Sequence, residues 1–237
     1  MSQAAAWRWS LAAGLVAFLC SWTFGRIPGL RPCVDTSGHG PIIALELART
    51  PAEVARLFGV EPCRSALLAA QRAALWLDAL AFIPTYAAFL CCAGLAAAGR
   101  AGRAIAAAVL AAALLDQAEG VLLWRTLAAF PGEQRVLDAL FWAVRGKFLL
   151  LALATLAIGG ALLRRFRRVT VVFGIVIAAG GTQALLGFFE LPEPGMMGGF
   201  KVGWLVLLVA AASASVWPSA FARARAPRPP APARPSA

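Results

Sequence analysis

Hydrophobic residues run along this chain in long blocks that carry no polar face. Six blocks predict membrane-crossing helices, at 9–24, 73–95, 104–124, 148–163, 169–189 and 202–217. Each approaches the ~20 residues that a helix needs to span a bilayer. A soluble helix of the same length would carry a polar stripe opposite its apolar one. Between the first two blocks lies the one sizeable polar segment, residues 26–72.

That segment predicts two small elements. In "IIALEL", Ile43, Leu45 and Leu47 alternate with smaller or polar residues, the period of a short strand. "RTPAEVARLFG" predicts a helix over 51–58 with both ends marked. Thr50 can cap it, Pro51 suits its first position, Glu53 completes a capping box and Gly59 ends it. Val54, Leu57 and Phe58 then share a face that must cover something apolar. The fold class is all-α: a polytopic transmembrane bundle of about six helices with a small periplasmic loop subdomain. The transmembrane domain covers 1–218; spans one to four and spans five and six could form separate units.

Composition agrees, with 61% hydrophobic and only 14% charged residues, against roughly 45–50% apolar in soluble domains. The net charge of +11 arises from arginines between apolar blocks, which fix topology and meet anionic lipid headgroups. No nucleic-acid motif accompanies it. Arg8, the "GRAGR" link with Arg100 and Arg103, the "RRFRR" link at 164–168 and four arginines after Trp217 all fall on one side. Short loops dense in arginine mark the cytoplasmic face, so both termini are expected in the cytoplasm of a bacterial inner membrane. The tail, 219–237, is rich in Pro, Ala and Arg and cannot build a core. It is either a lipid-surface contact or a solvated topology signal. The first block, "LAAGLVAFLCSWTF", lacks a small-x-small cleavage site, and bulky Phe18 and Leu19 precede Cys20 where a lipoprotein signal wants small residues. An uncleaved first helix is expected.

Cys33 and Cys63 bracket the loop elements. In an oxidising periplasm a disulfide between them would close a loop of about 31 residues and stabilise by ~3–4 kcal/mol. Cys20, Cys91 and Cys92 lie within the apolar blocks and suit small apolar packing roles. His39 is the only histidine, which removes the usual supports for haem, zinc or histidine-based catalysis. No cofactor, metal site or catalytic set is expected.

Ionisable groups inside a membrane are costly, at least ~2.5–3.5 kcal/mol at a helix centre, and turn toward protein or water. Asp78, Asp116 and Glu119 are three such groups. By rise per residue all three fall at similar depth in the outer half of the membrane. Asp78, Phe82 and Tyr86 follow i, i+4, i+8 spacing, and Pro84 can free a carbonyl near Leu80. Arg72 enters span two, Arg125 ends span three, and Arg145 and Lys147 enter span four.

The runs "LDALAFIPTYAAFL", "LLDQAEGVLLW" and "RGKFLLLALATL" resemble a pattern in uncharacterised bacterial multi-pass membrane proteins. There an Asp precedes Phe-Ile-Pro-x-Tyr, as Asp78 precedes Phe82 to Tyr86. The next helix carries Asp-x-x-Glu, like Asp116 and Glu119, and Lys-Phe opens a later one, like Lys147 and Phe148. Asn usually follows the Glu, where this chain has Gly120, so an amide of the pattern is missing. The resemblance covers spans one to four and implies a four-helix unit with an outer loop, without a known activity.

In spans five and six, Gly180 and Gly181 permit close helix contact and Thr182 and Gln183 can hydrogen-bond across helices. Glu190, Glu193 and Lys201 suit the outer interface, and Gly198–Gly199 suit a turn. Three functional readings follow. Asp78, Tyr86, Asp116, Glu119, Arg145 and Lys147 line an outward cavity that binds or moves a small ligand, ion or proton. Alternatively, the carboxylates pair with Arg or Lys as struts of a structural or accessory subunit, with a protein partner or second copy left open. The third reading is a membrane enzyme acting on a lipid, for which no nucleophile or Asp-rich diphosphate motif is present.

Overall fold

The computed structural model describes residues 1–36, 38–165, 167–189 and 195–221. Six long helices cross the molecule: α1 (Gln3–Phe24), α4 (Cys63–Leu77) continued by α5 (Ile83–Ala98), α6 (Gly102–Ala128), α7 (Gln134–Leu163), α8 (Arg168–Phe189) and α9 (Gly195–Val216). Two short helices, α2 (Pro41–Glu46) and α3 (Pro51–Phe58), belong to the loop, and α10 (Pro218–Phe221) follows α9. By length and apolar composition the stretches Gln3–Phe24, Cys63–Ala128, Gln134–Leu163, Arg168–Phe189 and Gly195–Val216 are able to cross a membrane. The second of these folds back on itself at Gly99, whose φ of 60° reverses the chain between α5 and α6.

The long helices close into a ring in the order α1, α5, α6, α7, α8, α9 and back to α1, with α5 and α7 also touching across it. The last two spans therefore do not stand apart from the first four; α9 packs against both α8 and α1. Small residues allow this closeness. A Cβ on Gly180 would stand 2.8 Å from the Gly199 carbonyl oxygen, and one on Gly199 2.5 Å from the Ala184 nitrogen. Gly198 and Gly199 accordingly lie inside α9 and not in a turn. Thr182 and Gln183 point outward and make no interhelical hydrogen bond among the described residues.

Apolar side chains face outward all around, among them Leu15, Leu114, Val172 and Leu205. Six tryptophans are exposed in two groups: Trp22, Trp76, Trp124 and Trp142 toward the loop end, Trp9 and Trp217 at the opposite end, beside the start of α1 and the end of α9. Indoles favour the membrane interface. Along α6, Trp124 stands about 32 Å from Arg103 at 1.5 Å per residue, matching the ~30 Å of hydrocarbon. The chain is an integral, multi-pass membrane protein whose outer faces contact bilayer lipid.

Other expectations also need correction. The "IIALEL" segment is helical, not a strand. Pro41 occupies the first position of α2, and a lone strand here would leave its backbone groups unpaired, whereas a helix closes them locally. The fourth span begins at Gln134, not near Phe148. Charged Arg135, Asp138 and Arg145 hide the helix from hydropathy, but Leu137, Leu140, Val144, Lys147 and Leu151 form one buried stripe at helical spacing. The "RRFRR" link is more than a topology signal. Arg165 is buried and donates to the carbonyls of Ala97 (3.2 Å from Nε), Ala96 and Phe221, capping the end of α5. Gln3 donates to the Ala96 and Phe221 carbonyls beside it. The tail expected from 219 thus begins with helix α10 and buried Phe221. The tail beyond 221, together with Glu190 and Glu193, lies outside the described residues.

The loop was otherwise legible. Thr50 caps α3 by accepting from the Glu53 N–H at 3.2 Å, and Glu53 accepts from the Arg49 N–H at 2.6 Å. Val54 and Phe58 are fully buried, and Cys33 is bonded to Cys63. Cys20 is buried and Cys91 and Cys92 are half-buried free thiols.

Candidate functional site

Helix α6 turns Asp116 and Glu119 onto the stripe that also buries Ala112 and Leu123. Helix α7 turns Lys147 onto the stripe that buries Leu140, Val144 and Leu151. The two stripes meet inside the ring. Lys147 Nζ donates to Asp116 Oδ1 at 2.8 Å and to Glu119 Oε1 at 2.7 Å. A third carboxylate comes from the loop: Glu46, the last residue of α2, places Oε2 3.1 Å from the same nitrogen. That approach is an ion pair without hydrogen-bond alignment, since Glu46 Oε2 has no hydrogen-bond donor. Glu46, Asp116, Glu119 and Lys147 are 6%, 5%, 2% and 4% exposed, so bulk solvent screens them little.

The second oxygen of Asp116 accepts from the Tyr86 hydroxyl at 2.7 Å. Tyr86 itself is wedged between Phe82 and Trp204, with ring centroids 5.4 and 5.6 Å away. Trp204 is fixed in turn by donating Nε1–H to Thr155 Oγ1 at 3.0 Å. Five helices therefore set the positions of one ammonium and its carboxylates. By rise per residue Asp116 lies about 12 Å, and Glu119 and Lys147 about 8 Å, below the tryptophans at the loop end.

Pro84 leaves its mark just above Tyr86. The helix widens over Asp78–Phe82 into a π turn, in which the Ile83 N–H reaches the Asp78 carbonyl. In that register the missing Pro84 N–H orphans the carbonyl of Ala79, one residue from the expected Leu80. Gln117 supplies the donor, its Nε2 lying 2.8 Å from the Ala79 oxygen.

The six residues singled out from sequence divide. Tyr86, Asp116, Glu119 and Lys147 come together. Asp78 opens the π turn, half-buried, within electrostatic reach of Asp116 and Lys147 but without a hydrogen bond or ion pair among the described residues. Arg145 does not join the cluster. Its guanidinium lies 4.4 Å from the Phe141 ring centroid and its Nε is buried without a partner. Of the other bases, Arg125 is exposed and Arg72 donates to the Leu127 carbonyl at 3.1 Å. The carboxylates converge on an ammonium, and among the described residues no group of three or more His, Cys, Asp or Glu is arranged to hold a metal ion.

A cavity of about 480 Å³ opens on the loop side. Its wall includes His39, Glu46, Arg49, Phe141 and Arg145. Glu46 thus belongs both to the cavity and to the buried cluster, while Asp116, Glu119 and Lys147 lie beneath. Burial holds the Glu46 carboxyl above the usual carboxylate range, with the Lys147 charge opposing and Asp116 adding to the rise.

Sequence reading missed Glu46, Gln117 and Trp204. A helical reading of "PIIALEL", with Pro41 at its first position, would have put Glu46 beside buried Leu45. Gln117 lies between Asp116 and Glu119, and only the π register of α5's entry gives it a partner. For Trp204 no signal separates an inward indole from the six exposed ones. No family model, no curated protein and no solved structure matches the chain.

Proposed function

We propose that this membrane protein binds or passes a small ligand or a proton from the loop side, with the Lys147 cluster as its proton-exchanging element. One observation carries the reading: Glu46 lines an open cavity, and its carboxyl reaches Lys147. Three carboxyls face one ammonium, so full ionisation would leave two uncompensated negative charges in a dry, low-dielectric interior. Such a group of carboxyls retains a proton instead, because like charges at close range cannot all ionise. Glu46 then offers that proton a route to water. The arginine-dense end opposite the loop, and the loop disulfide, support a cytoplasmic location for that end and a periplasmic cavity in a bacterial inner membrane.

The test is labelling with dicyclohexylcarbodiimide, which enters membranes and reacts with protonated carboxyls. The expected result is labelling of Glu46 or Glu119 at neutral pH that fades as pH rises and is lost in Glu46→Gln with Glu119→Gln. No labelling of either residue between about pH 5 and 8 would sink the proton reading.

The full satisfaction of both Asp116 oxygens favours a second reading, in which the cluster only ties α5, α6, α7 and the loop together. Asp116→Asn with Glu119→Gln separates the two. A strut loses folding in membranes, whereas a site keeps folding and loses a cellular phenotype.

A further inference from the structure

Arg49 and Arg145 also line the cavity. Arg49 sits over the Phe141 ring with its guanidinium carbon 3.2 Å from the centroid, and Arg145 approaches the same centroid at 4.4 Å. Neither forms an ion pair with a described residue, and Arg145 Nε is buried with no acceptor. Of the acids in the lining, Glu46 reaches Lys147 and Glu53 accepts from the Arg49 backbone N–H, while Asp35 also lines the cavity and Asp138 and Glu53 act on the Arg49 charge without an ion pair. Two guanidiniums held against one ring repel each other. The Arg145 charge adds to desolvation in holding Arg49 below its ordinary range. Proteins keep such pairs where an oxyanion bridges them, since the guanidinium fork matches phosphate geometry. The volume of about 480 Å³ falls in the range of small-ligand sites, and Leu47, Leu57 and Val144 give it an apolar side. Arg145 is one helical turn from exposed Trp142, about 4–5 Å below it, at the level where lipid headgroups meet the hydrocarbon.

We propose that this cavity is a phosphate-binding site in which Arg49 and Arg145 grip a phosphate group, either free or carried by a lipid headgroup. The site uses residues outside the Lys147 cluster and does not depend on its proton chemistry.

The experiment uses the full chain in a neutral maltoside detergent. The rise in melting temperature is followed against inorganic phosphate in one arm and dihexanoyl phosphatidylglycerol in the other. Saturable stabilisation by phosphate that weakens at least tenfold in Arg49→Gln with Arg145→Gln supports the site and a soluble ligand. Stabilisation by the lipid alone, with the same loss, supports the site and a headgroup ligand. Lys201→Gln, which removes an exposed charge on α9, is expected to bind as the wild type does. Arg49 is exposed, so Arg49→Gln alone decides the matter if the double variant does not fold. The proposal is overturned if neither probe stabilises the protein, if the arginine variants bind unchanged, or if Lys201→Gln weakens binding equally.

Discussion

The hydroxyl of Tyr86 donates to Oδ2 of Asp116 at 2.7 Å, the oxygen that Lys147 does not use. Asp116 is thereby held from α5 and α7 at once. Tyr86→Phe removes only the hydroxyl and leaves the stacking on Phe82 and Trp204. A hydrogen bond to a charged group contributes about 1.5–3 kcal/mol. A loss of that size is expected in denaturant titrations in detergent, with helix content unchanged. A cost near zero would mean that Asp116 needs no second donor.

Lys147 carries the larger share. Lys147→Met is expected to lower stability by about 3–5 kcal/mol, because removing one partner leaves buried charge uncompensated. Adding Asp116→Asn and Glu119→Gln to Lys147→Met is expected to restore most of that loss. Thermal unfolding of the single and triple variants measures it. Absence of rescue would show that Lys147 acts through packing.

Gln117 holds the π turn by covering the Ala79 carbonyl. Gln117→Leu leaves a buried acceptor unpaired, at a cost of about 1–3 kcal/mol. Hydrogen exchange is expected to accelerate at 78–86 and not along α6. Uniform exchange across both helices would contradict this account of the proline.

Glu46 sets a pH dependence. Its carboxyl is raised from the usual 4.5 chiefly by burial, so the folded chain holds its proton more tightly than the unfolded chain does. The resulting contribution favours folding at and below the ordinary value and is lost as pH rises through the raised one. Glu46→Gln stays neutral throughout. The wild-type melting temperature relative to that of Glu46→Gln is therefore expected to fall as pH increases from about 4.5. A difference that grows with pH would mean that the Lys147 charge outweighs burial.

The helices and their inward acids were legible from the sequence because the cost of burying charge is visible in one dimension. Asp116 and Glu119 in an alanine-rich run had to find a base, and Lys147 stood at the right spacing on the next helix. Tertiary geometry decided the rest. Arg145 and Lys147 are two residues apart and looked equivalent, yet a helix turns i and i+2 to different faces, so one entered the cluster and the other the cavity. Glu46 escaped notice because an alternating pattern over five residues suits a strand as well as a helix. The thread that draws it onto Lys147 runs through the folding of the whole loop, with Phe58 packed on Phe130 at 5.2 Å and the disulfide behind it.

In the proposed reading the Lys147 cluster holds a proton at neutral pH that can leave through Glu46. Infrared difference spectroscopy of the protein in lipid, stepped from neutral to alkaline pH, reads this directly. The expected result is a protonated-carboxyl C=O band at neutral pH that is lost on alkalinisation, is missing in Glu119→Gln with Glu46→Gln, and persists in Asp78→Asn. A spectrum without any protonated-carboxyl band at neutral pH would contradict the claim and leave the cluster as a strut.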